Sequence, residues 1–329
     1  MADHSNIGWT DSSWPITTGC IPVSEGCDGC YAAELTSSRL KHLPEYAGLA
    51  VAGKFTGEVR LHPARLDIPL HWRTPHKIFV CSMSDLFHAD VPDEFIAHAW
   101  AVMALCPQHI FQVLTKRHAR LRSLLSSPEF GRLVGEHMAR MLGVAHVAPI
   151  RVLRNVHIGV SIENQQWANA RIPSLVNTPA AVRWLSIEPM LGPIDLTPWM
   201  PPGPARWQCS GCRRYFTGPV QDTCPDCGRV GYWTGGYTGN GRPNGQPIRW
   251  VVLGGESRQP HHLPRRMAPE WARDVLAATT AAGVPVFFKQ LGTVLAGELG
   301  VRGTGHRLDD LPAEFRIQQY PDTIKAVPA

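Results

Sequence analysis

The sequence predicts an α/β fold, a partial or full (β/α) barrel, on three observations. Seven short, nearly continuous apolar runs recur along the 329 residues, most of them followed by a polar turn and a helical stretch. Such runs suit strands buried on both faces, as in a parallel sheet. Strands and helices alternate in order, and no internal repeat or G-x-G-x-x-G fingerprint supports the doubly wound sheet that is the alternative. Hydrophobic residues make up 44% and charged residues 18%, the balance of a folded chain with a substantial core.

The first expected strand is "WPITTG", ending just before Cys20. The others are "KIFVCSMSD" (77–85), "HIFQVLTKR" (109–117), "NVHIGVSIEN" (155–164), "VRWLSIEP" (182–189), "RWVVLGGES" (249–257) and "VPVFFKQLG" (284–292). Between them, "VPDEFIAHAWAVMALC" starts a helix with Pro92 near the first turn and with Asp93 and Glu94 at the positive end of its dipole. "APEWARDVLAATTAAG" has Pro269 near its start and Gly283 just past its end. Two insertions, 31–76 and 190–248, break the rhythm, and the tail after Gly292 holds one short helix at most. The expected organisation is a barrel over 1–204 with a three-cysteine loop, a zinc ribbon over 205–235, the last barrel strands over 236–295 and a tail over 296–329.

Seven of the nine cysteines fall into two clusters. A chain with a polar start, no signal pattern and no apolar run near the roughly 20 residues of a membrane helix is expected to be cytoplasmic and free of membrane contact. Clustered cysteines in such a chain read as metal ligands rather than disulfides. Cys209, Cys212, Cys224 and Cys227 form C-x2-C-x11-C-x2-C, two tight knuckles that complete a closed tetrahedral Zn2+ site of structural type. Around them stand Arg206, Arg213, Arg214 and Arg229, with Trp207, Tyr215, Phe216, Tyr232 and Trp233. Cations beside aromatic faces suit single-stranded nucleic acid, although aromatics also pack around zinc knuckles. Cys81, in an apolar strand, and Cys106, near a helix end, read as buried structural thiols.

Cys20, Cys27 and Cys30 are spaced C-x6-C-x2-C, one thiol short of a tetrahedral set. Zinc completed by a distant histidine is one reading. A [4Fe–4S] cluster on three thiolates, leaving one iron open to a substrate or cofactor, is the stronger one. The position favours it, because a loop after the first strand lies on the face where barrel active sites are built.

The segment "IGWTDSSWPITTGCIPVSEGCDGCYA" resembles the phage three-cysteine-motif family, a domain of unknown function. The resemblance continues through "SMSDLFH", "VLTKR", "SIEPMLGPIDL", "VLGGES" and "GVPVFFKQLG", most of the chain outside the ribbon. That family is similar in turn to radical S-adenosylmethionine (SAM) enzymes. The resemblance implies a radical SAM-type barrel, SAM chelated at the open iron of the cluster, and a one-electron donor such as a flavodoxin or ferredoxin. The usual loop of those enzymes is C-x3-C-x2-C with an aromatic residue before the last cysteine, whereas here the first gap is six and Gly29 takes that place.

Polar residues at the strand ends are the candidates for binding SAM: Ser82, Ser84 and Asp85, then Lys116 and Arg117, then Ser161 and Glu163, then Glu188, and last Glu256 after Gly254-Gly255. Carboxylates and a basic group suit its sulfonium, ammonium, carboxylate and ribose diol. A net charge of +5 and a pI of about 8.8 lean mildly toward anionic partners. The leading expectation is radical chemistry that modifies or repairs a nucleic acid, DNA or RNA, or a nucleotide. Radical chemistry on a peptide or small molecule is the second, and a non-catalytic iron–sulfur and zinc protein that binds nucleic acid the third. "HHLPRR" (261–266) reads as a solvated loop or a basic contact.

Overall fold

In the computed structural model, residues 5–150, 152–201, 212 and 247–321 are described in full, and 206–209, 215–217 and 231–233 by their backbone. Seven strands form one parallel sheet: β1 (Ser12–Trp14), β2 (Lys77–Val80), β3 (Ile110–Thr115), β4 (Val156–Ser161), β5 (Val182–Ile187), β6 (Trp250–Gly254) and β7 (Val286–Gln290). Each pairs with its neighbours in sequence, so no strand order reverses as it would in a doubly wound sheet. The helices are α1 (Tyr31–Ser37), α2 (Asp93–Leu105), α3 (His118–Ser126), α4 (Pro128–Leu142), α5 (Gln165–Val176), α6 (Pro269–Ala281) and α7 (Thr293–Glu298). Gly283 ends α6 at a φ of 65°, as expected of a glycine in that place.

The sheet is curled into a half-barrel. Trp9 lies 4.7 Å from the Phe79 ring on β2, 5.2 Å from Trp184 on β5 and 6.1 Å from Trp250 on β6. Strands are about 4.8 Å apart, so a flat sheet would hold β2 and β5 about 14 Å from each other. One indole reaches both because the concave face closes around it. Trp184 fits there because β4 offers Gly159: a Cβ at that position would fall 2.4 Å from the indole. The alternate strand residues, such as Ile78, Val113, Ile158, Leu185 and Leu253, face outward into a core shared with Trp100, Leu121, Ile172 and Val275 of the helices.

The aromatic floor also buries His157 on β4, whose imidazole is pushed down to about 4 by desolvation. The folded protein refuses this proton between pH 6.5 and 4 while the unfolded chain takes it up, so stability falls with pH across that window. The full loss, reached below pH 4, is about 3 kcal/mol. Urea titrations at several pH values should show a shallower acid slope for His157→Leu than for the parent; equal slopes would place the acid sensitivity elsewhere.

One expected boundary is corrected. The run "WPITTG" is not a single strand: β1 ends at Trp14 because Pro15 has no N–H for the ladder. Thr17–Thr18 instead pairs antiparallel with Arg60–Leu61, and Gly19 bridges Ser84 in parallel beyond the end of β2. The chain therefore still reaches Cys20 above the C-terminal edge of the sheet, by a short irregular passage. The insertion 31–76 contributes α1, the Arg60–Leu61 strand of the pair with Thr17–Thr18 and a second small antiparallel pair, Ala50–Val51 with Lys54–Phe55.

In the second insertion, Arg206–Cys209 pairs antiparallel with Tyr215–Thr217 on one side and Gly231–Trp233 on the other. Cys224, Cys227, Arg213, Arg214 and Arg229 lie outside the described residues, as does the side chain of Cys209. Among the described residues no helix is long and apolar enough to cross a membrane.

Candidate functional site

The C-terminal strand ends meet the loop 19–30, and the contacts fall into two ionic clamps with a third tie at Cys20. The first clamp is Glu163, fully buried after β4. Its Oε1 accepts from Ser24 Oγ at 2.8 Å and from Lys116 Nζ, and its Oε2 accepts from Arg171 Nη1 of α5 at 3.1 Å. Arg171 is itself fully buried, donates to the Ser161 carbonyl at 2.6 Å and lies 4.1 Å over the Trp167 ring. Beside it Glu25 accepts from Trp167 Nε1 at 2.7 Å and from Asn164 Nδ2. Burial pushes the Glu25 carboxyl up, but those hydrogen bonds and Lys116 outweigh it and hold the group below its usual range.

The second clamp is Glu256 after β6. Arg265 grips it bidentately at 2.6 and 2.9 Å and reaches across to the Glu25 carbonyl at 2.8 Å and to Asp28 at 3.2 Å. Desolvation raises the Glu256 carboxyl, and the Arg265 bonds more than offset it, leaving it low. His262 stands 3.3 Å from the same carboxylate. The "HHLPRR" run is therefore a strap over the cysteine loop: His261 pairs with Glu34 of α1 at 3.0 Å, and Arg266 with Glu298 at 2.7 Å.

The glycines between the cysteines are required by these clamps. A Cβ on Gly26 would fall 2.5 Å from Glu163 Oε1, and one on Gly29 would fall 2.6 Å from His262 Cδ2 and 2.9 Å from Glu256 Oε1. The aromatic residue usual in radical SAM loops has no room at Gly29. Tyr31, one place beyond Cys30, donates to the Ser82 carbonyl instead.

Asp85 after β2 is saturated. It accepts from Thr115 Oγ1 at 2.6 Å, from the Phe87 and Lys116 amides at 3.0 Å each, and from Arg117 Nη1 at 3.2 Å. Arg117 in turn reaches Cys20 Sγ at 3.7 Å and the Ile21 carbonyl at 3.1 Å. Ser84 holds the passage to the loop through Thr17, its Oγ donating to the Thr17 carbonyl at 2.8 Å. Ser161 lies on the inner side of the rim, its Oγ 3.5 Å from the Glu188 carbonyl. Glu188 pairs with Lys289 Nζ at 2.9 Å. Gly255 lets the backbone of 291–292 cross the end of β6, because a Cβ there would fall 2.1 Å from the Leu291 carbonyl oxygen.

Every strand-end residue expected from the sequence thus lies at this mouth. Asp85, Lys116, Arg117, Glu163 and Glu256 are spent on holding the cysteine loop or its anchors, while Glu188, Ser161 and Lys289 line the rim. Sequence reasoning missed Ser24, Glu25, Trp167, Arg171 and Arg265. The available signal was the two basic residues, Arg171 inside a helix and Arg265 in a run read as solvated, each placed to neutralise a buried carboxylate.

Burial pushes the Cys20 thiol up to about 12, with the Asp85 carboxylate adding to it and Arg117 opposing, and Cys27 and Cys30 raising it further. Burial likewise raises Cys30. Free thiolates are therefore disfavoured at Cys20 and Cys30, so a cationic group binding there would displace their protons. Among the described residues no three His, Cys, Asp or Glu side chains gather closely enough to hold a single metal ion. One tetrahedral zinc would draw its sulfurs to about 3.8 Å of each other, at a Zn–S length of about 2.3 Å. A cubane binds each thiolate to a different iron and spaces them wider. Three soft thiol donors, each half-buried on this loop, are the ligand type that iron–sulfur clusters take. Cys81 and Cys106 take no part: both are buried, both thiols are raised to about 11, and Cys81 accepts from Thr17 Oγ1 at 3.3 Å.

Fold and site together define an α/β half-barrel protein with a clamped three-thiol loop across its mouth. A family model described as "Protein of unknown function (DUF5131)" matches residues 4–314, nearly the whole chain, and the chain belongs to that family. No curated protein and no solved structure matches it.

Proposed function

We propose that the protein is a radical SAM-like enzyme in which Cys20, Cys27 and Cys30 hold a [4Fe–4S] cluster, and that its substrate is a nucleic acid or nucleotide. The observation that carries the reading is a three-thiol loop clamped across the C-terminal mouth of a sequentially ordered parallel half-barrel, where barrel enzymes place their chemistry. When bound, such a cluster supplies one-electron reductive cleavage of SAM, with the electron drawn from a flavodoxin- or ferredoxin-like donor. The chain's own part is to hold and surround it. Asp85 and Arg117 orient Cys20, Glu163 and Arg265 pin the loop, and the Glu188–Lys289 pair presents opposite charges suited to the ammonium and carboxylate of SAM. Anaerobic incubation with SAM and dithionite tests the reading: 5′-deoxyadenosine should form. A full cluster without that product would leave the binding-protein reading.

For the substrate, support comes from the basic charge and from the register of the inserted sheet. Phe216, Trp207 and Trp233 stand directly opposite one another on three adjacent strands, so their positions share one face. A row of aromatic positions suits stacking of successive unpaired bases, each stack being worth roughly 1–3 kcal/mol. Zinc on Cys209, Cys212, Cys224 and Cys227 would hold this small sheet together. Cys209→Ser is expected to lose one zinc and weaken binding of single-stranded DNA or RNA while the iron content stays unchanged, measured by metal analysis and by titration at low salt. Simultaneous loss of iron would show that the two sites are not independent.

A further inference from the structure

Among the three cysteines, Cys20 is the one whose sulfur receives a charged donor among the described residues: Arg117 Nη1 lies 3.7 Å from it. The guanidinium is held by two acceptors and the backbone behind it by a third. Asp85 Oδ2 takes Nη1 at 3.2 Å, the Ile21 carbonyl takes Nη2 at 3.1 Å, and the Arg117 amide is fixed by Thr115 Oγ1 at 2.9 Å. Asp85 has no slack either, since its other acceptor positions are filled by Thr115, Phe87 and Lys116. Arg117 is therefore a pre-oriented cation aimed at one particular ligand sulfur. Ser24 Oγ approaches Cys27 only to 4.0 Å and carries no charge.

We propose that Arg117, braced by Asp85, sets the reduction potential of the cluster by donating to Cys20, an assignment that rests on the iron–sulfur reading above. When the cluster takes up one electron its charge becomes more negative, and no proton or leaving group moves. A fixed cation beside a ligand sulfur stabilises the reduced state more than the oxidised one. Hydrogen bonds to the sulfurs of such clusters are an established lever on potential. Arg117 is thus a tuning residue, and Lys116, committed to Glu163, is not its equivalent.

The test is a redox titration followed by electron paramagnetic resonance, with dithionite as the electron source, on the full chain reconstituted anaerobically. Arg117→Gln should lower the reduction equilibrium constant about tenfold, which is a fall of about 59 mV for one electron. Arg117→Lys, which keeps the charge and loses the fork, should fall between Arg117→Gln and the parent. Arg122→Gln, an exposed position on α3, should match the parent. Parent protein that takes up no cluster overturns the iron–sulfur reading and this assignment with it. A cluster in both parent and Arg117→Gln with the same midpoint overturns the assignment alone. If Arg117→Gln retains no cluster, Arg117→Lys decides: a midpoint below the parent supports the tuning role, and an unchanged one refutes it.

Discussion

Cys20→Ala, Cys27→Ala and Cys30→Ala are each expected to give colourless protein, where the anaerobically purified parent should be brown and carry about four irons per chain in addition to zinc. The effect should be all-or-none at each position, because in the proposed cluster every thiolate of the set would hold a different iron. Cys81, just past the end of β2, is buried and accepts from Thr17 Oγ1. Cys81→Ala therefore serves as the control: it should keep its iron and lose only some stability. Loss of the cluster must also abolish SAM cleavage in all three variants. The opposite result is equally specific. Colourless parent protein with zinc on these three thiols would restore the zinc–histidine reading and remove the radical mechanism.

Glu163→Ala should destabilise the protein by about 3–5 kcal/mol, the usual consequence of leaving a buried charge without its partner. Arg171 is the charge in question. It is fully buried, its Nε and Nη2 have no hydrogen-bond partner among the described residues, and Glu163 with the Ser161 carbonyl supplies its polar contacts. Desolvation already pulls the Arg171 guanidinium below its usual range, with Glu163 opposing that shift. Replacing both by apolar residues, Glu163→Leu with Arg171→Leu, should cost far less than the single change, since an apolar pair of similar volume restores packing and leaves only the partly exposed Lys116 without its carboxylate. Urea unfolding of the single and double variants measures the difference. A double variant no better than Glu163→Ala would mean that the carboxylate matters through Ser24 and the loop rather than through Arg171. Iron retention, scored on the same samples, separates loop damage from loss of global stability.

Much of the barrel was legible because each strand is a continuous apolar run, and a parallel sheet buried on both faces demands that pattern wherever it occurs. The runs at 77–85, 109–117, 155–164, 182–189, 249–257 and 284–292 each contain the observed strand, with the polar end of the run forming the rim. The run at "WPITTG" misled, since apolar content alone does not show that Pro15 breaks the ladder. Candidate site residues were legible as a set for the same reason: polarity that follows a buried strand must surface at the strand's end. Their partners were not legible. Arg171 lies eight residues beyond Glu163 and Arg265 nine beyond Glu256, but nothing in the spacing says that each folds back onto its carboxylate and, in the second case, onto the cysteine loop.

By itself the sequence determined the α/β class, the order of the strands, the two cysteine clusters and the end of the barrel at which the first of them lies. Those properties are local, set by burial periodicity, thiol spacing and the residues that flank each strand. Tertiary structure decided the rest. It curled the sheet, because one tryptophan near the N-terminus packs against β2, β5 and β6 at once. It made Gly26 and Gly29 the residues that fit, because a Cβ at either would run into the Glu163 side chain or those of His262 and Glu256. It also turned Asp85, Glu163 and Glu256 from free acids at strand ends into clamps. A carboxylate's role depends on which cation reaches it through space, and only the closed fold brings residues more than two hundred positions apart, such as Glu25 and Arg265, within hydrogen-bond distance.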